Sequence, residues 1–276
     1  MLTATLFALA SAGLHAAWNL RAKRSGDRFV ALWGQFIAGG SCSLVVLIAT
    51  GGPGFDALPY LAGSSLVHVV YLVGLAHAYD HGDFSLAYPV ARGGGALGAA
   101  IGGALLLDDE LRGWSWVAIA IVAVGLFTFA PRRASWEPLA RAGLVAVTIA
   151  GYTLFDSAGS RRVDDSLAYA MASFVACAVT LTAWGSATGR WSTVTASLRA
   201  DWRSPLWAGV ASATAYALVL AAVRWAPVGY VTVLRESSVL LGPLIGTFVL
   251  HEPLGRARTR SALVVFAGMA LLIATR

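Results

Sequence analysis

The stretch that decides the fold reads Gly82-Asp-Phe-Ser-Leu-Ala-Tyr88-Pro89-Val-Ala-Arg92-Gly-Gly-Gly, and it continues as an apolar run to Leu107. Between Phe84 and Leu107 the only charged residue is Arg92. A run of this length crosses a bilayer as a helix, and an arginine at that depth costs at least about 2.5 kcal/mol. We therefore expect a partner for Arg92, either in the protein or in a bound solute.

Composition places the whole chain in the same class as this stretch. Of 276 residues, 58% are hydrophobic and 12% charged, and the mean hydropathy is +0.70. Soluble domains have about 45–50% apolar and about 25% charged residues. The net charge of +6 comes mostly from short loops, where basic residues orient helices, so no nucleic-acid partner is expected. Cys42 and Cys177 lie in apolar runs and predict neither a disulfide nor a metal site.

The apolar runs predict an all-α, polytopic membrane protein with ten transmembrane helices. Their predicted bounds are Leu2–Leu20, Phe29–Thr50, Leu58–Tyr79, Phe84–Leu107, Trp114–Ala130, Ala142–Ala158, Ser166–Ala187, Pro205–Val223, Val228–Leu250 and Ser261–Thr275. Residues 1–131 and 142–276 then hold five helices each, with a linker at 132–141 between them.

The two sets of five helices are predicted to be copies of one unit. Arg92, Gly103, Leu107 and Leu111 correspond to Arg235, Gly246, Leu250 and Leu254 in a register of 143 residues, and His15, Trp18 and Asn19 correspond to Tyr152, Phe155 and Asp156 in one of 137. Because five is odd, the copies insert in opposite directions, which places a solute site between them near the membrane midplane.

Polar and aromatic residues inside the apolar runs are the candidate substrate-binding residues. They are Arg92, Tyr88, Trp18, Asn19, His15, Tyr71, Tyr152, Tyr216 and Arg235. A guanidinium facing a cavity binds a carboxylate or phosphate through its planar fork, and we rank Arg92 ahead of Arg235 for this role. The alternative is structural, with the arginine held by backbone carbonyls or by a partner carboxylate.

Two carboxylates in apolar runs, Glu236 and Asp156, are the predicted coupling residues. A carboxylate buried away from water can alternate between proton-bound and proton-free forms near physiological pH. The alternative for Glu236 is that it only neutralises a basic neighbour. It directly follows Arg235, but adjacent helical residues point about 100° apart, which disfavours a pair between these two.

Glycines spaced by four residues predict close helix contacts. Gly94, Gly98 and Gly102 form one such row, and Gly242 and Gly246 form another. Small residues at this spacing let backbones approach each other in lipid. A hinge near Gly93 and Pro89 is the competing interpretation, since glycine and proline both weaken the helix.

The stretches from Gly82 to Gly93 and from Leu250 to Leu254 (Leu-His-Glu-Pro-Leu) resemble the EamA-type, ten-helix members of the drug/metabolite transporter superfamily. The resemblance covers essentially the whole chain. It implies secondary transport of small metabolites, such as amino acids or drug-like solutes, across the cytoplasmic membrane. We expect a multi-pass exporter that is a monomer or homodimer and uses no cofactor. The matching positions in the other copy, Val231-Thr232 and Asp109-Glu110, depart from these motifs.

Two alternatives to transport remain from the sequence, a membrane-embedded enzyme and a lipid-handling protein. An enzyme is disfavoured because the chain lacks a His-Glu-x-x-His helix, and its His251-Glu252 pair is followed by Pro253. Orientation also stays open. The Lys and Arg residues of the loops place both termini outside, whereas the family resemblance implies termini in the cytoplasm.

Overall fold

The computed structural model describes residues 1–22, 27–80, 84–128, 136–238 and 256–275. For some residues near the ends of these segments it describes the backbone but not the side chain. These residues form eleven α-helices and one 3-10 helix, and none of them forms a strand. The helices are α1 Leu2–Ala22, α2 Arg28–Thr50, α3 Leu58–Asp80, α4 Phe84–Leu106, α5 Gly113–Phe127, α6 Trp136–Arg162, α7 Ser166–Ala187, α8 Trp191–Ala200, α9 Arg203–Ala222, α10 Val228–Arg235 and α11 Arg256–Ala274, with the 3-10 helix at Phe55–Ala57.

Length and apolar composition make the chain a multi-pass membrane protein. Five helical stretches of the described residues are long and apolar enough to cross a bilayer, and three shorter apolar helices accompany them. Large apolar side chains such as Val45, Ile48, Leu105, Leu106 and Phe266 are exposed on the outside of the bundle. A soluble monomer rarely exposes such surfaces, whereas hydrocarbon solvates them.

The predicted glycine row of α4 forms a close contact with α6. A Cβ atom built at Gly94 would lie 2.9 Å from the Cβ of Ala146, and one at Gly98 would lie 3.0 Å from the Cβ of Ala150. At Gly102 the nearest atom is Leu154 Cδ1, which would lie closer still. The row therefore fixes α4, the helix that carries Arg92, against α6. The second predicted row, at Gly242 and Gly246, lies outside the described residues.

The predicted linker is partly helical. Helix α6 begins at Trp136, inside the predicted linker 132–141, and it runs to Arg162 rather than to Ala158. Glu137 and Pro138 suit a first helical turn, where a carboxylate is favourable and the missing N–H of proline is not needed. At the other end, Ser160 and Arg161 donate hydrogen bonds to carbonyls of α9 and of the following loop, which supports the extra turn.

Two further differences concern α8 and α10. The short helix α8 was not predicted, because only Val194 of its ten residues is buried. The helix predicted at Val228–Leu250 ends as α10 at Arg235, and the N–H of Glu236 bonds to the carbonyl of Val233. The interruption is a tight turn at Glu236, and Ser237 and Ser238 after it are helical again. Residues 239–250 lie outside the described part.

Polar contacts join the ends of several helices on one side of the bundle. Asp109, in the loop after α4, forms an ion pair of 2.8 Å with Arg161 of α6, and its other oxygen accepts the N–H of Val228, 2.6 Å away, at the start of α10. Arg161 also donates to the carbonyls of Val223 and Ala226. These contacts hold the ends of α4, α6 and α10 together on the side of the membrane where the α9–α10 loop lies.

Candidate functional site

A cavity lies in the middle of the bundle, and each half of the chain contributes four helices to its wall. Its wall comes from α1, α2, α3 and α4 of the first half and from α6, α7, α9 and α10 of the second. The lining residues are His15, Trp18, Leu32, Gln35, Phe36, His68, Tyr71, Leu72, Arg92, Tyr152, Ser173, Phe174, Cys177, Ser212, Tyr216 and Arg235. The volume of the cavity that the centre of a water molecule can occupy is about 70 Å³. One water needs roughly 10–15 Å³ on the same measure, which is several times less.

Most of the predicted substrate-binding residues meet in this cavity. Seven of them line it, namely His15, Trp18, Tyr71, Arg92, Tyr152, Tyr216 and Arg235. Asn19 is half-buried on α1 outside the lining set. The side chain of Tyr88 lies outside the described residues. The two predicted coupling residues, Glu236 and Asp156, are buried directly behind the wall.

Aromatic rings form much of the wall. His68 lies 4.0 Å from Tyr152 between ring centroids, and Tyr71 lies 5.4 Å from Tyr152. Phe36 stacks on Phe174 at 5.3 Å. His68 and Tyr71 share one face of α3 because they are three residues apart on the helix. These rings give the cavity an apolar surface that favours the hydrocarbon part of a solute.

Arg92 and Glu236 form a buried, two-point ion pair between α4 and the end of α10. Arg92 Nε donates to Oε2 at 3.0 Å and Nη2 donates to Oε1 at 2.6 Å. The exposed fractions are 5% for Arg92 and 3% for Glu236, so both charges are removed from water. Because the planar fork of arginine matches a carboxylate, the pair offsets the desolvation of each ion. In the structure Arg92 is thus held by a partner carboxylate, as the structural alternative for this residue predicts.

Arg235 lies in the same cavity but differs from Arg92 in its contacts. Its guanidinium carbon lies 5.9 Å from the ring centroid of Tyr216. Its buried Nε atom has no hydrogen-bond partner, and among the described residues no carboxylate forms an ion pair with it. Glu236 is its neighbour in sequence but pairs with Arg92. Arg235 is therefore the cavity arginine with an unsatisfied donor, its Nε atom, whereas the predicted ranking placed Arg92 first as the anion contact.

Two ring nitrogens of α1 resemble the Nε atom of Arg235 in their hydrogen bonding. The Nδ1 atom of His15 and the Nε1 atom of Trp18 are buried, and no described residue forms a hydrogen bond with either. Their rings meet edge to face at 4.8 Å, and both line the cavity. Buried polar groups are normally hydrogen-bonded, so such atoms in a cavity wall mark positions where a solute can be bound.

Asp156 lies behind the wall, in a cluster of hydroxyl groups. It is fully buried, and its Oδ2 atom accepts from Ser64 at 2.6 Å and from the hydroxyl of Tyr216. Its Oδ1 atom accepts from Tyr169 at 3.0 Å. The donors come from α3, α7 and α9, so the carboxylate joins three helices to α6.

Sequence reasoning missed part of the wall. Gln35, Phe36, Phe174 and Ser212 line the cavity but were not among the predicted residues. Gln35 carried a signal, because it is the only amide in an otherwise apolar run from Phe29 to Thr50. The phenylalanines carried none, since a phenylalanine facing lipid and one facing the cavity look alike in sequence.

A solved structure and a sequence family both match this chain. A solved crystal structure of a protein matches this fold with a TM-score of 0.74, covering 100% of this chain and 98% of that chain at 15% sequence identity. That likeness establishes the fold alone. No curated protein matches the chain at a significant level. Residues 140–274, which make up the second half, match the model of the EamA-like transporter family. This match over the second half supports the assignment of the chain to the EamA-like transporters of the drug/metabolite transporter superfamily.

Proposed function

We propose that this chain is a secondary transporter that exports small metabolites, such as amino acids or drug-like solutes, across the cytoplasmic membrane. In this proposal ten transmembrane helices form two inverted five-helix repeats, and a solute bound between them is exposed to each side in turn. The observation that carries the proposal is the central cavity, with four helices from each half and Arg235 available to an anion.

Helix packing supports the two repeats. If α1, α2, α3, α4 and α5 correspond to α6, α7, α9, α10 and α11, the contacts occur in matching sets. The α1–α9 contact corresponds to the α6–α3 contact, and the α2–α9 contact corresponds to the α7–α3 contact. In addition, α2 packs on its own counterpart α7, α4 on α10 and α5 on α11. Helices α2 and α7 also begin after an aspartate cap, Asp27 and Asp165. A two-fold relation between the halves accounts for this pattern.

The charges of the wall support a solute that bears a carboxylate. Glu236 neutralises Arg92, so Arg235 supplies the positive charge of the cavity. A carboxylate bound to its fork would form charge-assisted hydrogen bonds, and the ring nitrogens of His15 and Trp18 are further polar contacts for the same solute. The aromatic walls suit its hydrocarbon part.

Uptake of an amino-acid panel into proteoliposomes tests this function. Wild-type protein should move at least one zwitterion and discriminate against its amide, which lacks the carboxylate. Arg235→Gln should remove this discrimination, whereas Arg162→Gln should keep it. Arg162 is a matched control because it also lies over a tyrosine ring, Tyr60 at 5.4 Å, but outside the cavity. Export is tested by efflux from preloaded cells.

The same assay separates the alternatives. Equal transport of acid and amide by the wild type would refute the carboxylate proposal. Failure to move any solute, together with chemical modification of a lipid in the same vesicles, would favour the membrane-embedded enzyme, and lipid exchange without modification would favour the lipid-handling protein.

Proton coupling is proposed through Glu236, because a proton on this carboxylate would release Arg92 toward the cavity. Arg92, Arg235 and Tyr152 are the charged or titratable groups that interact with it. Uptake should then depend on an imposed pH gradient and stop with an uncoupler. Glu236→Gln, or the Arg92→Gln/Glu236→Gln double variant that leaves no unpaired charge, should remove this dependence. Asp156→Asn belongs in the same test, since Asp156 stays a predicted coupling residue.

A further inference from the structure

The carboxylate of Asp156 is held by hydroxyl donors, and no cation among the described residues pairs with it. An ionised carboxylate only accepts hydrogen bonds, at about four positions. Three hydroxyls donate to Asp156, one from a serine and two from tyrosines. Among the described residues no lysine, arginine or histidine forms an ion pair with it. The group is therefore held by oriented dipoles from other helices rather than by a counter-ion.

Two of the three donors connect Asp156 to the cavity wall. The hydroxyl of Tyr216 bonds to Oδ2, and the ring of the same residue lines the cavity beneath the guanidinium of Arg235. Ser64 bonds to the same oxygen at 2.6 Å and also contacts His68, whose ring lies in the wall. The position of this one oxygen thus sets two aromatic surfaces.

The donor Tyr169 provides an internal contrast. Its hydroxyl bonds to the other oxygen of Asp156 at 3.0 Å, but its fully buried side chain packs against Gly159 and does not line the cavity. Tyr169 and Tyr216 therefore make the same kind of bond to one carboxylate, and they differ in whether the ring reaches the solute.

From this geometry we propose that Asp156 is a positioning residue for the solute site. Its carboxylate fixes the ring of Tyr216 and, through Ser64, that of His68, and the ring of Tyr216 in turn supports Arg235 where it receives the carboxylate of the solute. The proposal rests on the function proposed above. It assigns Asp156 to specificity and affinity, and it places Ser64 and Tyr216 in the same unit.

Transport kinetics test the unit with a double-mutant cycle. The solute is the amino acid that the wild type carries fastest in the panel. Asp156→Asn keeps the size of the side chain but replaces an acceptor by a donor, and we expect KM to rise about tenfold or more, the equivalent of about 1.4 kcal/mol. Tyr216→Phe should raise KM similarly, and the double variant should be no worse than the more affected single variant, because coupled residues are non-additive.

Tyr169→Phe is the matched control, since it removes the same type of donor from the other oxygen. Its KM should stay within about twofold of the wild type. An increase as large as that of Tyr216→Phe would overturn the proposal and make the cluster a purely structural one. So would an Asp156→Asn variant that keeps its KM but loses the response to a pH gradient, which would make Asp156 a proton carrier.

A second measurement does not depend on transport. A single 3-fluorotyrosine at position 216 gives a ¹⁹F resonance that reports the environment of the ring in detergent. Ser64→Ala should move this resonance, because Ser64 and Tyr216 share Oδ2, and Tyr169→Phe should move it less. Ser64→Ala buries no new charge, so it carries the test even if Asp156→Asn fails to accumulate. An unchanged resonance in Ser64→Ala would refute the proposal, whether or not any solute is transported.

Discussion

Arg92 and Arg235 lie at matching positions of the two halves, 143 residues apart, but among the described residues only Arg92 has an ion-pair partner. Glu236 holds Arg92 through two hydrogen bonds, whereas Arg235 rests over the ring of Tyr216 with its Nε atom unpartnered. In the same register Glu236 corresponds to Gly93, where a Cβ atom would already lie 3.1 Å from Leu126 Cβ. A carboxylate present in one half alone thus gives two equivalent arginines different environments.

The largest expected effect comes from removing that carboxylate. Glu236→Gln leaves the guanidinium of Arg92 buried without a counter-charge, and arginine cannot lose its proton to escape. We expect the free energy of unfolding to fall by about 3–5 kcal/mol, measured by thermal and denaturant unfolding in detergent. Arg92→Gln should cost less, because the remaining carboxylate can take up a proton, and the double variant should recover most of the loss. Equal stability of the wild type and Glu236→Gln would contradict a buried pair.

The next effect concerns the helix that presents Arg92. Gly98→Leu forces a side chain into the contact with Ala150, where a Cβ atom has only 3.0 Å, and overpacking of this kind costs about 1–3 kcal/mol. We expect a lower melting temperature and slower transport. Gly13→Leu is the control, since a Cβ at Gly13 meets no atom within 4 Å. Equal melting temperatures for the two variants would place the Gly98 face toward lipid.

A smaller effect is expected at the ion pair beyond the end of α4. Asp109→Asn removes the charge opposite Arg161 but keeps an oxygen for the N–H of Val228. A charge-assisted hydrogen bond contributes about 1.5–3 kcal/mol, and with Arg161 partly exposed we expect about 1 kcal/mol of lost stability by denaturant unfolding. The Asp27–Arg190 pair is about 40% exposed on each side chain, so Arg190→Gln should change stability by less than about 0.5 kcal/mol.

The smallest effect on stability is expected at Arg235 itself. Arg235→Gln loses a contact with the Tyr216 ring worth about 0.5–1 kcal/mol but also removes a charge without a counter-ion. We expect the free energy of unfolding to change by no more than about 1 kcal/mol, while transport of a carboxylate solute is lost. Destabilisation as large as that of Glu236→Gln would show that Arg235 has a structural partner and would end the contrast with Arg92.

Much of the fold follows from the sequence because a bilayer imposes strict rules. Helices that cross hydrocarbon must be long and apolar, so the runs around α2, α3, α7 and α9 were predicted within a few residues of their bounds. The glycines of α4 predicted a close contact, and the structure places α6 against them. The start of α6 and the short helix α8 were missed, because loop-side helices need no apolar run.

By itself the sequence determined which residues are costly in a membrane. Arg92, Arg235, Glu236 and Asp156 stand out because each is a charge inside an apolar run, and that cost predicts a partner or a function. Only the tertiary structure decided how the costs are met. Arg92 pairs with Glu236 across 144 residues, Asp156 is held by hydroxyls of three other helices, and Arg235 faces the cavity. Linear spacing fixes the face of one helix, but ion pairs and hydrogen bonds between helices depend on how those faces pack together.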